Sequence, residues 1–189
     1  MAPTFDEIKV LIVPSEGNIS FMYLDTRGYV TVGIGNMLPS GSDAVELPFL
    51  NRTTQNKATS AEIAADFDAV SQQTKGMAAN YYRKYTNTDL SDVAINNLFR
   101  NRVYEFQQAL AVAYPIYDSY PNSAQLALLD MAFNLGVGAL KAKWPKLNAA
   151  IASADWEGAS VESFRPEAKA TRNAKIKALF EDAAAESKK

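Results

Sequence analysis

Apolar residues at positions 5, 8, 10, 11, 12 and 13 recur at near-helical spacing and predict a short helix over about 5–13, which Thr4 or Asp6 would cap. Pro14 and Gly17 end or bend it, so Glu16 falls at the helix exit. From Ile19 the period changes. Phe21-Met22-Tyr23-Leu24 reads as a strand, Asp25-Thr26-Arg27-Gly28 as a turn, and Tyr29 to Gly35 as a returning strand rich in β-branched residues. This hairpin is the one piece of β-structure the pattern supports. Residues 39–59, rich in Pro, Ser, Asn, Thr and Gly, read as a loop. Thr59-Ser60-Ala61-Glu62 has the form of a capping box and opens a helix through about Gly76. Helical patterns follow at about 78–85, 89–113, 122–135, 144–152, 155–163 and 171–186, with Pro115 and Pro121 bracketing a turn. The pattern predicts an α+β fold that is predominantly α-helical. Its expected organisation is a single domain over 1–189: a small α+β lobe at about 15–75 and a helical lobe at about 76–189, with residues 1–14 packing on the latter.

Composition narrows the chemistry more than the fold. The 189 residues suffice for one compact domain or two small lobes, and 48% hydrophobic with 21% charged residues is an ordinary globular balance. The net charge of −2 implies no general attraction to nucleic acid or to an anionic membrane. From Asn134 onward ten Lys/Arg stand against seven Asp/Glu, leaving nine against fourteen for the first 133 residues; the more basic end suits either an anionic polymer or a solvated helix surface. With no cysteine there is no disulfide or thiolate site, and with no histidine the commonest general base and zinc ligand are missing. Acid–base chemistry falls to carboxylates, Lys or Tyr, and no metal or cofactor is expected. The first residues lack the basic start and apolar core of a signal peptide, and no apolar run approaches a membrane span.

The candidate chemistry lies in residues 16–36. Glu16-Gly17 leaves the first helix, Tyr23-x-Asp25 enters the turn, and Gly28-Tyr29-x-Thr31-x-Gly33-x-Gly35 returns from it. Two carboxylates separated in this way suit glycosidic cleavage, in which one must donate a proton and the other must activate water or stabilise positive charge. The glycines let backbone approach a polymer closely. Taken singly, Glu16 also fits a surface acid, Asp25 ordinary turn chemistry and Thr31 ordinary strand propensity. The combination is the specific signal.

The run from Glu16-Gly17 through Tyr23-Leu24-Asp25-Thr26-Arg27-Gly28-Tyr29-Val30-Thr31-Val32-Gly33-Ile34-Gly35-Asn36 closely resembles the active-site segment of the phage-type lysozymes, glycoside hydrolase family 24, with the Glu-to-Asp-to-Thr spacing matched without a gap. Tyr117-Asp118-Ser119 and Ala127 to Gly136 resemble that family's buried central helix and following turn. Asp155-Trp156-Glu157 with Thr171-Arg172-Asn173-Ala174-Lys175-Ile176 resembles its C-terminal arginine-bearing helix. The resemblance implies a lysozyme-like two-lobed fold and a muramidase that hydrolyses the β-1,4 linkage between N-acetylmuramic acid and N-acetylglucosamine in peptidoglycan. It implies Glu16 as general acid, with Asp25 and Thr31 holding a water in an inverting arrangement, carboxyls roughly 6.5–9.5 Å apart. It further implies Met37, Phe133 and Asn134 as substrate contacts and Arg172 as an ion pair that modulates the acid. Asn36 stands where the family has an ion-pairing histidine. Residues of about 77–113, carrying Tyr81, Tyr82, Tyr85 and Tyr104, depart from the family and suggest a lengthened helix pair, its tyrosines serving helix packing or sugar stacking.

Two other readings compete. A lytic transglycosylase keeps the acid but needs no Asp/Thr water site, and a non-catalytic peptidoglycan-binding module needs neither. A purely structural adaptor leaves residues 16–36 unexplained. The expected partner is the glycan strand, with no nucleic acid or membrane and a monomeric state. The resemblance suits a phage endolysin reaching the periplasm or wall through a holin, or an antibacterial effector domain delivered by a secretion machine. The latter would imply an immunity protein.

Overall fold

A computed structural model describes residues 2–188. In chain order the elements are α1 (Phe5–Glu16), β1 (Ile19–Leu24), β2 (Val30–Gly33), β3 (Asn36–Met37), α2 (Gly41–Val45), β4 (Leu50–Asn51), α3 (Ser60–Ser71), α4 (Ala79–Tyr82), β5 (Thr88–Asp89), α5 (Asp92–Ala113), α6 (Asn122–Leu135), α7 (Val137–Lys143), α8 (Pro145–Ala152), α9 (Trp156–Glu162) and α10 (Ala170–Glu186). Short 3-10 turns lie at Arg83–Tyr85 and Tyr117–Ser119. The fold is α+β and mostly helical. Among the described residues no single helix is long and apolar enough to cross a membrane.

The chain clusters into two compact units: Met1–Ser15 with Val103–Lys189, and Glu16–Arg102. The second unit contains the small sheet, and it extends beyond the 15–75 span read from the sequence by taking in residues 76–102. β1, β2 and β3 form an antiparallel sheet in that order; Tyr23 pairs with Thr31, Leu24 with Val30, and Thr31 with Met37. A register shift between Ile19 and Tyr23 bends β1. Phe21, Met22, Leu24, Val30 and Val32 are buried, as are Ile63 and Val70 of α3, the helix that packs on β1 and β2. α3 opens with the expected box: Thr59 Oγ1 accepts from the Glu62 N–H, and the Glu62 carboxylate accepts from the Thr59 N–H.

The hairpin is not the only β-structure. β4 and β5 pair antiparallel as a second, two-residue sheet, and residues 39–59, expected as a loop, include β4 and α2. Side chains rather than strand propensity build this region. Arg52 donates to both carboxylate oxygens of Asp89 and to the carbonyl of Thr86. The Asp66 carboxylate, 3% exposed, accepts from the Asn87 N–H, the Thr88 N–H and the Thr88 hydroxyl. α2 is capped by Ser40, whose hydroxyl oxygen accepts from the Asp43 N–H. Tyr82 is fully buried and donates to the Thr74 carbonyl, so it serves packing, whereas Tyr81 and Tyr85 remain partly exposed and touch through their hydroxyls at 3.2 Å.

The other unit is built around α6, whose residues from Ser123 through Ala132 are all buried. α10 packs on α6 and α9, and the Trp156 ring lies between those of Tyr120 and Phe180. α7 was hidden from the hydrophobic pattern because Gly136, at φ 79°, reads as a helix stop; here it is a corner between α6 and α7, which bend by 99°. α1 runs three residues past the expected end, to Glu16, with Pro14 in its last turn.

Asp66 is the polar anchor of residues 87–88. Asp66→Ala is expected to lower the free energy of unfolding by about 3 kcal/mol in a urea titration, because three donors lose their acceptor. Asp68→Ala, an exposed position on the same helix, is expected to change it by less than about 0.5 kcal/mol.

Candidate active site

The three residues with the sharpest sequence signal, Glu16, Asp25 and Thr31, belong to one unit and one small part of it. Glu16 ends α1, and Gly17 at φ 82° turns the chain directly into β1. The β2–β3 turn returns Gly35 against it: a Cβ on Gly35 would sit 3.4 Å from Glu16 Oε2 and 3.9 Å from Glu16 Cβ. Gly35 has φ 63°, a conformation a side chain would strain. Glu16 is thus a partly buried carboxyl lying along bare backbone.

Asp25 closes the β1–β2 turn. Its Oδ1 accepts from the N–H groups of Arg27 at 2.9 Å, Gly28 at 2.8 Å and Tyr29 at 2.9 Å. Its own N–H donates to the Tyr29 carbonyl, and its carbonyl accepts from Gly28. Gly28, at φ 96°, supplies the backbone conformation the turn requires, and the Lys75 stem packs where its side chain would be. One oxygen of Asp25 is therefore fully engaged and the other, Oδ2, is left for a further partner.

Thr31 is 3% exposed, and its hydroxyl donates to the Tyr29 carbonyl at 3.0 Å. With that proton committed, Thr31 Oγ1 has acceptor capacity to offer. The register puts Tyr23, Thr31 and Met37 in one row across the sheet, and residues opposite each other point to the same face. Met37 stands 43% exposed at one end of the row. Tyr23 at the other end is the residue to which the sequence pattern gives no role of its own. Burial first, then the charges of Glu16 and Asp25, push its phenol up to about 12, so it remains a neutral donor in the field of both carboxylates. The signal was there: counting back from the Asp25–Gly28 turn places Tyr23 opposite Thr31.

Phe133, Asn134 and Arg172 lie in the other unit. The Phe133 ring packs on Phe106, centroids 4.5 Å apart and planes tilted 37°. Asn134 and Arg172 line a cavity of about 320 Å³ with Pro14, Ser15, Thr171 and Lys175 among its other walls. Arg172 is held by Asp130, Nη2 to Oδ1 at 2.8 Å and Nε to both carboxylate oxygens at 3.0 Å. Among the described residues no three Asp or Glu side chains gather in a geometry that could hold a metal ion.

No protein-family model matches the chain. Over 139 residues, 73% of its length, it is 27% identical to the pre-baseplate central spike protein Gp5 of Enterobacteria phage T4. The aligned stretch is 20% of that protein, so the chain spans about a fifth of the length of the curated relative it matches.

The contact between Gly35 and Glu16 makes a prediction. Gly35→Ala is expected to cost about 1–2 kcal/mol of stability, because the new methyl would sit in a left-handed backbone conformation against the Glu16 carboxylate. Gly76→Ala has comparable backbone strain at φ 82° with nothing within 4 Å, and is expected to cost a similar amount. Thermal unfolding of the two variants beside the parent makes the comparison.

Proposed function

We propose that the chain is a glycoside hydrolase of the phage-lysozyme type, a muramidase acting on the β-1,4 linkage between N-acetylmuramic acid and N-acetylglucosamine in peptidoglycan. The single observation that carries this reading is the division of labour in the hairpin. Asp25 has one oxygen saturated by three backbone N–H groups, and Thr31 has its proton committed to a carbonyl. A water seated between them would give one hydrogen to Thr31 Oγ1 and the other to Asp25 Oδ2, leaving a lone pair for the anomeric carbon. Glu16, whose charge the Tyr23 phenol also feels, would donate its proton to the glycosidic oxygen as the C–O bond breaks. The water's proton passes to Asp25, so the step balances as hydrolysis with inversion. The resemblance of residues 16–36 to the phage-type lysozymes supports the assignment of roles, and the similarity to a phage baseplate spike protein supports a phage or phage-derived setting.

By the same resemblance Met37, Phe133 and Asn134 would contact the glycan, and Arg172 would pair with and modulate the acid. The wall glycan in the periplasm is the proposed target, with the chain acting as a monomer. The Asp25/Thr31 pair favours hydrolysis over a lytic transglycosylase, which needs no held water.

Glu16→Gln and Asp25→Asn are the direct tests. Each should fold as the parent does and lose at least about a hundredfold in the rate of turbidity loss of purified cell walls. The parent's products should carry reducing ends. Anhydro ends would indicate a transglycosylase, and a folded Glu16→Gln variant with parental activity would overturn the acid assignment.

A further inference from the structure

Asn134 is the penultimate residue of α6, and Asp130 lies one helical turn earlier on the same face. Both are engaged by one guanidinium. Arg165, in the segment between α9 and α10, is 2% exposed; its Nη2 meets Asp130 Oδ2 at 3.1 Å and its Nη1 donates to Asn134 Oδ1 at 3.1 Å. A guanidinium has donors and no acceptors, so the amide oxygen of Asn134 must be the atom that faces it. The amide nitrogen then points away. Among the described residues Asn134 Nδ2 donates to no protein group, and Asn134 is part of the wall of the 320 Å³ cavity.

Arg165 is itself fixed by backbone. Its N–H donates to Asn173 Oδ1 at 3.1 Å, and its carbonyl accepts from Asn173 Nδ2 at 2.7 Å, a reciprocal amide clamp from α10. Asp130, 1% exposed, balances the buried charge and engages Arg172 as well. The order of control runs from Asn173 to Arg165 to Asn134.

We infer that Arg165 is a positioning residue, which with Asp130 locks the Asn134 amide so that its N–H faces the cavity and donates to a carbonyl oxygen of the bound glycan. The inference rests on the proposed muramidase reading for the identity of the ligand, but the locked amide does not. A group held in its bound orientation spends no rotamer freedom on binding, so its loss falls on affinity rather than on the chemical step. Lysine cannot replace arginine here: one ammonium can face Asp130 but cannot bridge Asp130 and Asn134 as the fork does.

The test uses the whole chain with soluble glycan strands released from cell walls. Arg165→Lys keeps the buried charge pair and should raise KM about tenfold with kcat within about twofold. Asn134→Asp keeps an acceptor for Arg165 but has no N–H to give, and should raise KM by a similar factor. The double variant should be no worse than either single one, because both remove the same donor. A parental KM in Asn134→Asp or in folded Arg165→Lys would overturn the inference, as would losses that multiply in the double variant. If Arg165→Lys does not fold, the Asn134→Asp result alone decides. Should the parent cleave no glycan, the muramidase reading fails separately. Nitrogen-15 relaxation of the Asn134 side-chain NH2 then decides the positioning role: a high order parameter in the parent that falls in Arg165→Lys supports it, and equal order parameters contradict it.

Discussion

Three backbone N–H groups converge on one oxygen of Asp25, and the geometry of the hairpin unit follows from that convergence. The turn can close in this way only if Gly28 takes a positive φ, which fixes where β2 begins and hence which residue stands opposite Tyr23. Because strand side chains alternate, a slip of one residue would send Thr31 to the other face and separate it from Tyr23 and Met37. The same carboxylate therefore shapes the turn, sets the register and keeps an oxygen for the water-activating role we propose. A substitution that removes it would disturb all three, so Asp25→Asn, which keeps Oδ1 as an acceptor, is the informative variant.

The parts of this arrangement legible in the sequence are those that depend on local pattern. Glu16 at a helix exit, the Asp25–Gly28 turn, the β-branched return through Thr31 and the Thr59–Glu62 box are all set by residues within a few positions of one another. The pattern could not show β4, β5 or α2. Two-residue strands carry no periodicity, and these are held by Arg52 and Asp66 reaching across 21 to 37 positions of chain. Nor could it show that Gly136 marks a corner between two helices rather than an end. Tyr23 was visible as a motif residue, but its half-buried place opposite Thr31, within the field of two carboxylates, becomes apparent only once the hairpin is assembled.

The helical unit solves a different problem. Asp130, Arg165 and Arg172 place charge in or near the interior, where desolvation is costly, and Arg165 Nε is buried without a hydrogen bond. Such a cluster is a poor source of net stability. Its use is to fix direction: Arg165 Nη1 meets Asn134 Oδ1 and Nη2 meets Asp130 Oδ2, and each acceptor is held where the fork points. Asn134 inherits that rigidity. In the hairpin unit direction comes from backbone N–H groups, in the helical unit from a buried guanidinium, and each leaves one polar atom, Asp25 Oδ2 or Asn134 Nδ2, that donates to or accepts from no described residue.

In the mechanism we propose, Asp25 and Thr31 act on a water and not on the sugar itself. Proton NMR of the anomeric signal during the first minutes of cleavage, before mutarotation, tests it most directly. With a held water as nucleophile, the first product from the β-linked glycan carries the α configuration. A β first product would contradict it, since Asp25 would then have to be a nucleophile or the substrate would have to assist its own cleavage, and the water-holding role of Thr31 would be lost.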